Sequence, residues 1–305
     1  MPTFEKIEYK GWPNCYRYSN GTIEMIVTSD VGPRIISLSF VDGENMFANF
    51  PDEDMGKTGG DEWRIYGGHR FWHAPEVQPR TYYPDNNPVT VEDKGTHVYV
   101  SQPVEPTTGI EKELEFTFTG DATLKVVHRL TNHNMWAVEL APWALSVMDT
   151  GGTAIVPLPP RGSHEENLLP ANSMTFWPYT DMTDSRWTWG EKYVLLRQEP
   201  GNDKAQKIGA MVPDGWAAYA NKNTLFLKTF AYIAGEAYPD MGCNVETFTF
   251  ATMLELETLG PLTNLAPGAS VEHVEHWNLF ADVAQPTDDA TVEATILPLA
   301  KKALA

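Results

Sequence analysis

Cysteine is nearly missing from this chain: Cys15 and Cys243 are the only two among 305 residues. Standing so far apart, they make no metal-ligand or redox spacing, and they are expected as two buried free thiols. Basic residues are scarce as well, 22 Lys and Arg against 41 Asp and Glu, for a formal net charge of −19. That field repels phosphate backbones and anionic lipid, which argues against nucleic-acid and membrane partners. It says nothing against a neutral small molecule. No run approaches the ~20 apolar residues of a membrane span. The opening Met1-Pro2-Thr3-Phe4-Glu5-Lys6 lacks the apolar stretch of a signal peptide. The expectation is a soluble cytoplasmic protein. Internal repeats, low-complexity segments and helical periodicity are also lacking, apart from one tail.

What is present is a chain able to bury a large core, 42% hydrophobic and 11% aromatic, which excludes intrinsic disorder. Short runs of strand character fill it, among them Thr22–Thr28, Arg34–Phe40, Ile110–Phe118, Ala122–Thr131, Ala137–Val147, Thr224–Phe230, Val245–Glu257 and Val271–Phe280. Several alternate apolar and polar residues with period two. Turn signals such as Asn20-Gly21, Asp42-Gly43 and Asp214-Gly215 separate them. Many strands without a βαβ rhythm predict an all-β fold, a large antiparallel β-sandwich spanning residues 1–285. Residues 286–305 read as a short C-terminal helical tail packed on it. There Thr287 and Asp288 can cap, Val292, Ile296 and Leu299 share a face, and Pro298 should bend or end the helix.

Two regions, Asp52–Asn87 and Pro157–Glu191, resist strand assignment and are expected as long functional loops. They hold Trp63, Trp72, Trp177, Trp187 and Trp189, half of the ten tryptophans. Aromatic faces with polar groups between them suit a sugar, whose C–H faces pack on rings while carboxylates, amides and Arg take the hydroxyls. The plainer alternative is that these tryptophans plug the core under the loops.

Two clusters could carry chemistry. In Gly67-Gly68-His69-Arg70-Phe71-Trp72-His73-Ala74-Pro75-Glu76, two imidazoles, a guanidinium and a carboxylate crowd together, and either histidine could be a general acid. On a helix, His69, His73 and Glu76 would make a zinc-like set, but the two glycines and Pro75 oppose a helix, so no metal is expected. In Leu254–Leu262, Glu255 and Glu257 alternate with leucines and so share one side. Paired like charges raise one pKa, as a general base near neutrality needs; a solvated outer face is the plainer reading. Asp240, in a loop before a long strand, could reach the cleft or cap a turn. His273 and His276 read as strand-surface or edge residues.

Leu256-Glu257-Thr258, the loop to Leu265-Ala266-Pro267-Gly268 and the closing Trp277-Asn278-Leu279-Phe280 resemble the C-terminal signature of aldose 1-epimerases (galactose mutarotases). Gly32-Pro33-Arg34-Ile35-Ile36-Ser37-Leu38 followed by Asp42-Gly43-Glu44-Asn45 is similar to that family's opening hairpin. The resemblance spans most of residues 20–280 and implies a β-supersandwich with Glu257 as catalytic base, Arg34 on sugar and His69, or His73, as acid. The expected substrate set is completed by Arg70, Trp72, Glu76, Trp143, Trp177, Asp184, Arg186, Asp240 and Glu255. The family's second histidine has no match in Glu139–Val147, where Trp143 stands instead, and the segment Trp177–Trp187 has no counterpart. The chain therefore resembles a divergent branch of the superfamily. What this implies is interconversion of sugar anomers without a cofactor, the partner being a small sugar or sugar derivative. Two alternatives are a carbohydrate-binding protein that has lost the acid and a glycoside-cleaving enzyme.

Overall fold

The computed structural model describes residues 2–50 and 54–305. Asp52 and Glu53, where the first expected loop begins, lie outside the described residues. Two large antiparallel sheets face each other, and a short helical tail follows. The first sheet runs through Thr3–Tyr9, Trp12–Ser19, Ile23–Thr28, Arg34–Phe40, Gly68–Ala74, Val138–Met148, Met253–Leu259, Val245–Phe250, Gln206–Ala210 and Met174–Phe176. The second runs through Trp187–Trp189, Tyr193–Arg197, Thr153–Pro157, Trp216–Asn221, Thr224–Phe230, Ser270–Ala281, Thr123–Asn132, Ile110–Gly120, Val98–Ser101 and Thr90–Asp93. Alternation built these strands, and it placed Met25, Val27, Leu114, Phe116, Leu124, Val126, Leu254 and Leu256 between the sheets.

Three elements differ from expectation, besides the short edge strands Met174–Phe176 and Trp187–Trp189 inside the second expected loop. Gly68–Ala74 is a strand in the middle of the first sheet, not part of a loop. All seven of its residues are buried, so it carries no polar-out rhythm by which to read it. Val245–Glu257 is a hairpin rather than one strand, turning between Phe250 and Met253. The tail begins at Asp288, whose side chain accepts from the Thr291 backbone N–H at 2.8 Å. A π turn over Val292–Ile296 then precedes Leu297–Leu304, so Pro298 opens the last helical segment instead of ending the helix. Val292, Ile296 and Ala300 pack against Tyr193, Trp216, Leu225 and Leu227 on the outside of the second sheet.

The space between the sheets also holds a polar network. His128 Nδ1 lies 3.0 Å from the His273 carbonyl oxygen, an acceptor, so that nitrogen carries the proton. His128 Nε2 is then an acceptor, and His69 Nε2, 2.7 Å away, donates to it. His69 Nδ1 in turn accepts from the Ser146 hydroxyl at 2.9 Å. Glu275 accepts from Trp277 Nε1 at 2.6 Å and Lys228 Nζ at 3.0 Å, and also from the Thr258 hydroxyl. His273, expected at a strand surface, is buried here with Nε2 2.8 Å from that same hydroxyl.

These groups tie stability to pH. Burial drives His69 and His73 well below the usual imidazole range, and pushes His128 down to about 3 and His273 to about 4. Burial opposes the Glu275 charge, but Lys228 and the two neighbouring imidazoles outweigh it and hold the carboxyl at about 2. The unfolded chain takes up protons on these histidines near pH 6.5, whereas the folded one refuses them until far lower. The stability they confer is complete above pH 6.5 and is lost as pH falls towards 3. Urea unfolding between pH 7 and pH 5 should therefore show stability dropping by up to about 1.4 kcal/mol per pH unit for each buried imidazole. A midpoint constant over that range would contradict neutral, buried rings.

Candidate functional site

Side chains of the first sheet alternate between its inner face, towards the second sheet, and its outer face. Glycine places the key strand: Gly67 and Gly68 have φ of 87° and 72°, and a Cβ on them would stand 2.1 Å from the Ala48 oxygen and 2.2 Å from the Ile35 oxygen. The strand then points His69, Phe71 and His73 inward and Arg70 and Trp72 outward. Its register pairs Trp72 with Trp143 and Arg70 with Leu145. Leu145 pairs with Glu257, Glu257 with Glu246, Glu255 with Phe248, and Phe248 with Lys207. All of these share the outer face.

There they surround a cavity of about 280 Å³, lined by Trp63, Arg70, Trp72, Glu76, Tyr82, Trp143, Tyr179, Lys207, Phe248 and Glu255, with Ile65, Leu145 and Met253. That volume lies at the small end of ligand pockets, which begin at roughly 300 Å³. Trp72 sits at the hub of the aromatic wall, its ring centre 5.7 Å from Trp63, 5.4 Å from Trp143 and 5.1 Å from Tyr82. The Arg70 guanidinium lies 4.4 Å above Trp72, and its Nη2 meets Glu255 Oε1 at 2.8 Å. Arg70 Nε and Nη1 are buried without a partner. Tyr82 donates to Glu76 at the rim.

Beneath the wall, Lys207 Nζ lies 2.8 Å from Glu246 and 3.2 Å from Glu257, and within 5.0 Å of the ring centres of both Trp143 and Trp177. Glu257 Oε2 also accepts from Trp143 Nε1 at 2.9 Å, while its Oε1 is buried with no partner. Burial, reinforced by Glu257, raises Glu246 well above the ordinary range, and burial, reinforced by Glu255, raises Glu257 too. Burial disfavours the ammonium, but Glu246 and Glu257 outweigh it and keep Lys207 protonated well above its normal pKa. One ammonium thus stands between two carboxyl groups that do not both ionise readily.

The expected site residues divide. Arg70, Trp72, Glu76, Trp143 and Glu255 line the cavity, with Glu257 and Trp177 against it through Lys207. His69 and His73 do not: both lie on the inner face, sealed from the cavity by their own strand, so the expected imidazole opposite Glu257 is absent there. His69 is spent on Ser146 and His128, and His73 is buried with neither ring nitrogen bonded. Arg34 shares the outer face opposite Arg70, but its head is buried on Asp85 (2.8 Å) and the Gly67 carbonyl (2.7 Å). Asp184 pairs with Arg186, which floors a different cavity, and Asp240 lies in a turn whose carbonyl accepts from Thr175 and Cys243. Lys207, Glu246, Tyr82 and Tyr179 were not anticipated. Lys207 lies in an unremarkable strand, and only its pairing across two neighbours reveals it.

No protein-family model matches the chain, and no curated protein matches its sequence. Solved structures do match in fold. A TPR-domain containing protein from Parabacteroides distasonis superposes with a TM-score of 0.58 at 15% identity, over 90% of this chain and 48% of that one, so this chain spans about half its length. A galactose mutarotase related enzyme from Lactobacillus acidophilus gives 0.51 at 12% identity, over 90% and 99% of the two chains. A galactose mutarotase-like protein from Clostridium acetobutylicum gives 0.50 at 12%, over 92% and 98%. The fold is that of the galactose mutarotase-like proteins. At these identities the likeness is one of architecture, and the site stands on its own residues.

The Lys207 bridge makes a direct prediction. Lys207→Met leaves two carboxyl groups buried without their cation and should cost about 3–5 kcal/mol at pH 7. Adding Glu246→Gln should restore part of that loss. Urea unfolding of the single and double variants decides it, and a single variant within 1 kcal/mol of the parent would exclude a charged bridge.

Proposed function

We propose that the outer-face cavity binds an uncharged pyranose and that the chain is a carbohydrate-active protein. One observation carries this reading: an aromatic wall of Trp63, Trp72, Trp143 and Tyr82 closes around polar atoms of Arg70 that are buried without partners. Apolar C–H faces of a sugar fit the rings, and its hydroxyls fit the orphaned donors and the carboxylates of Glu255 and Glu76. Both cations of the cavity are already matched, Arg70 by Glu255 and Lys207 by Glu246 and Glu257. A phosphate or carboxylate on the sugar would meet no free positive charge.

A second reading, interconversion of anomers in the same cavity, is favoured by the unpartnered Oε1 of Glu257 beside Lys207. In that chemistry a base takes the proton of the anomeric hydroxyl while a donor protonates the ring oxygen. The ring opens to an aldehyde, the C1–C2 bond rotates, and closure gives the other anomer. Glu257 serves as base. Lys207, whose ammonium lies 3.2 Å from it, takes the place the resemblance assigns to a histidine.

Saturation-transfer NMR on freshly dissolved α- and β-hexoses measures binding and exchange together. Neutral hexoses should give a signal that weakens at least ~10-fold in Trp72→Ala, as removal of a central aromatic anchor does. A hexuronate should give no Trp72-dependent signal. Glu257→Gln should retain binding and, under the second reading, slow exchange ~10²–10⁴-fold. Hexose signals equal in the parent and Trp72→Ala would overturn the assignment of the cavity.

A further inference from the structure

Arg186, expected on sequence grounds to touch the sugar, floors a separate cavity of about 160 Å³ on the outer side of the second sheet, where the tail begins. Strand register brings its walls together. Arg197 pairs with Thr153, and Thr188 pairs with Leu195, which points the same way as Arg197. The Arg197 backbone N–H also donates to the Arg186 carbonyl at 3.0 Å. Ser185, Pro286 and Thr287 complete the lining, so two arginines and four hydroxyls, of which Thr153 already donates to Gln285, converge in a chain of net charge −19.

The two arginines are not equivalent. Arg186 is 1% exposed and locked: Asp184 takes Nε at 3.0 Å and Nη2 at 2.8 Å, and the Lys204 carbonyl takes Nη2 at 2.6 Å. That clamp leaves Nη1 buried with no partner. The clamp fixes this guanidinium in the wall of the cavity, so a ligand need not order it. Arg197 is exposed, and among the described residues no carboxylate lies within ion-pair distance of it. Asp184 neutralises Arg186, so Arg197 leaves the cavity with one uncompensated positive charge. A fixed guanidinium edge, a second guanidinium and hydroxyl donors are what a tetrahedral oxyanion requires.

We propose that this cavity binds a small oxyanion of phosphate size, with its hydroxyls as donors, the clamped Arg186 behind them and Arg197 supplying the net charge. The site is distinct from the sugar cavity and does not depend on what that cavity binds. The segment Trp177–Trp187 serves both: Tyr179 lines the first and Arg186 floors the second.

Isothermal titration and ³¹P line broadening with inorganic phosphate, and separately with glycerol phosphate, test this on the full chain. The expected result is saturable binding that weakens with added salt. It should fall at least ~10-fold in Arg197→Gln, an exposed change that leaves the fold intact, and vanish in Thr188→Glu, which puts a carboxylate in the cavity. Trp72→Ala should leave it unchanged. Tighter binding of inorganic phosphate points to the free anion, and tighter binding of the ester to a phosphate group on a larger molecule. No binding of either, or equal binding by the parent and Arg197→Gln, overturns the proposal.

Discussion

The pleat of one strand governs what this protein can do. Gly68–Ala74 crosses the middle of the first sheet with no residue exposed, so each side chain is committed to one face or the other. His69 and His73 go to the space between the sheets; Arg70 and Trp72 go to the cavity. A register shift of one residue would exchange the pairs and place imidazoles where the sugar is proposed to lie. Gly67 and Gly68 prevent that, since no residue with a Cβ fits against Ala48 and Ile35. The two glycines hold the strand's entry and, with it, the identity of the site.

Two buried charged clusters follow from this division, one on each face of the same sheet. On the inner face Lys228 and Glu275 pair within a network of three imidazoles, each ring neutral and each contact assignable to one tautomer. That cluster is saturated, which suits a structural role. On the outer face Lys207 must satisfy both Glu246 and Glu257, and oxygen atoms of each remain unbonded. Unsatisfied polar atoms beside a cavity are costly unless something enters to meet them. The contrast between the two clusters separates framework from site more sharply than any single residue does.

The aromatic wall and the carboxylates belong together chemically. Trp143 occupies the position on the strand Val138–Met148 where the resemblance leads one to expect a histidine, and its indole N–H is given to Glu257. The carboxyl groups of Glu246 and Glu257 are coupled through the ammonium of Lys207 that lies between them. The matched charges around that lysine leave no free cation in the cavity, in keeping with the uncharged ligand proposed for it.

Much of this was legible in the chain alone. Alternation along Ile110–Phe118 and Val271–Phe280 announced a sandwich, because a half-wet strand writes its environment into every second residue. That Glu255 and Glu257 share a face is written in the chain, because period two is local geometry. Trp72, Trp143, Arg70 and Glu76 could be singled out by residue type, and the structure brings them to one cavity. The sequence could not say which face of a wholly buried strand was which, because with both sides dry there is no polar residue to mark the outside. It could not find Lys207 or join Arg186 to Arg197, since those partnerships run across strands distant in the chain. Side-chain periodicity is a property of neighbours along the backbone, whereas which carboxylate meets which cation is decided only when the sheets close.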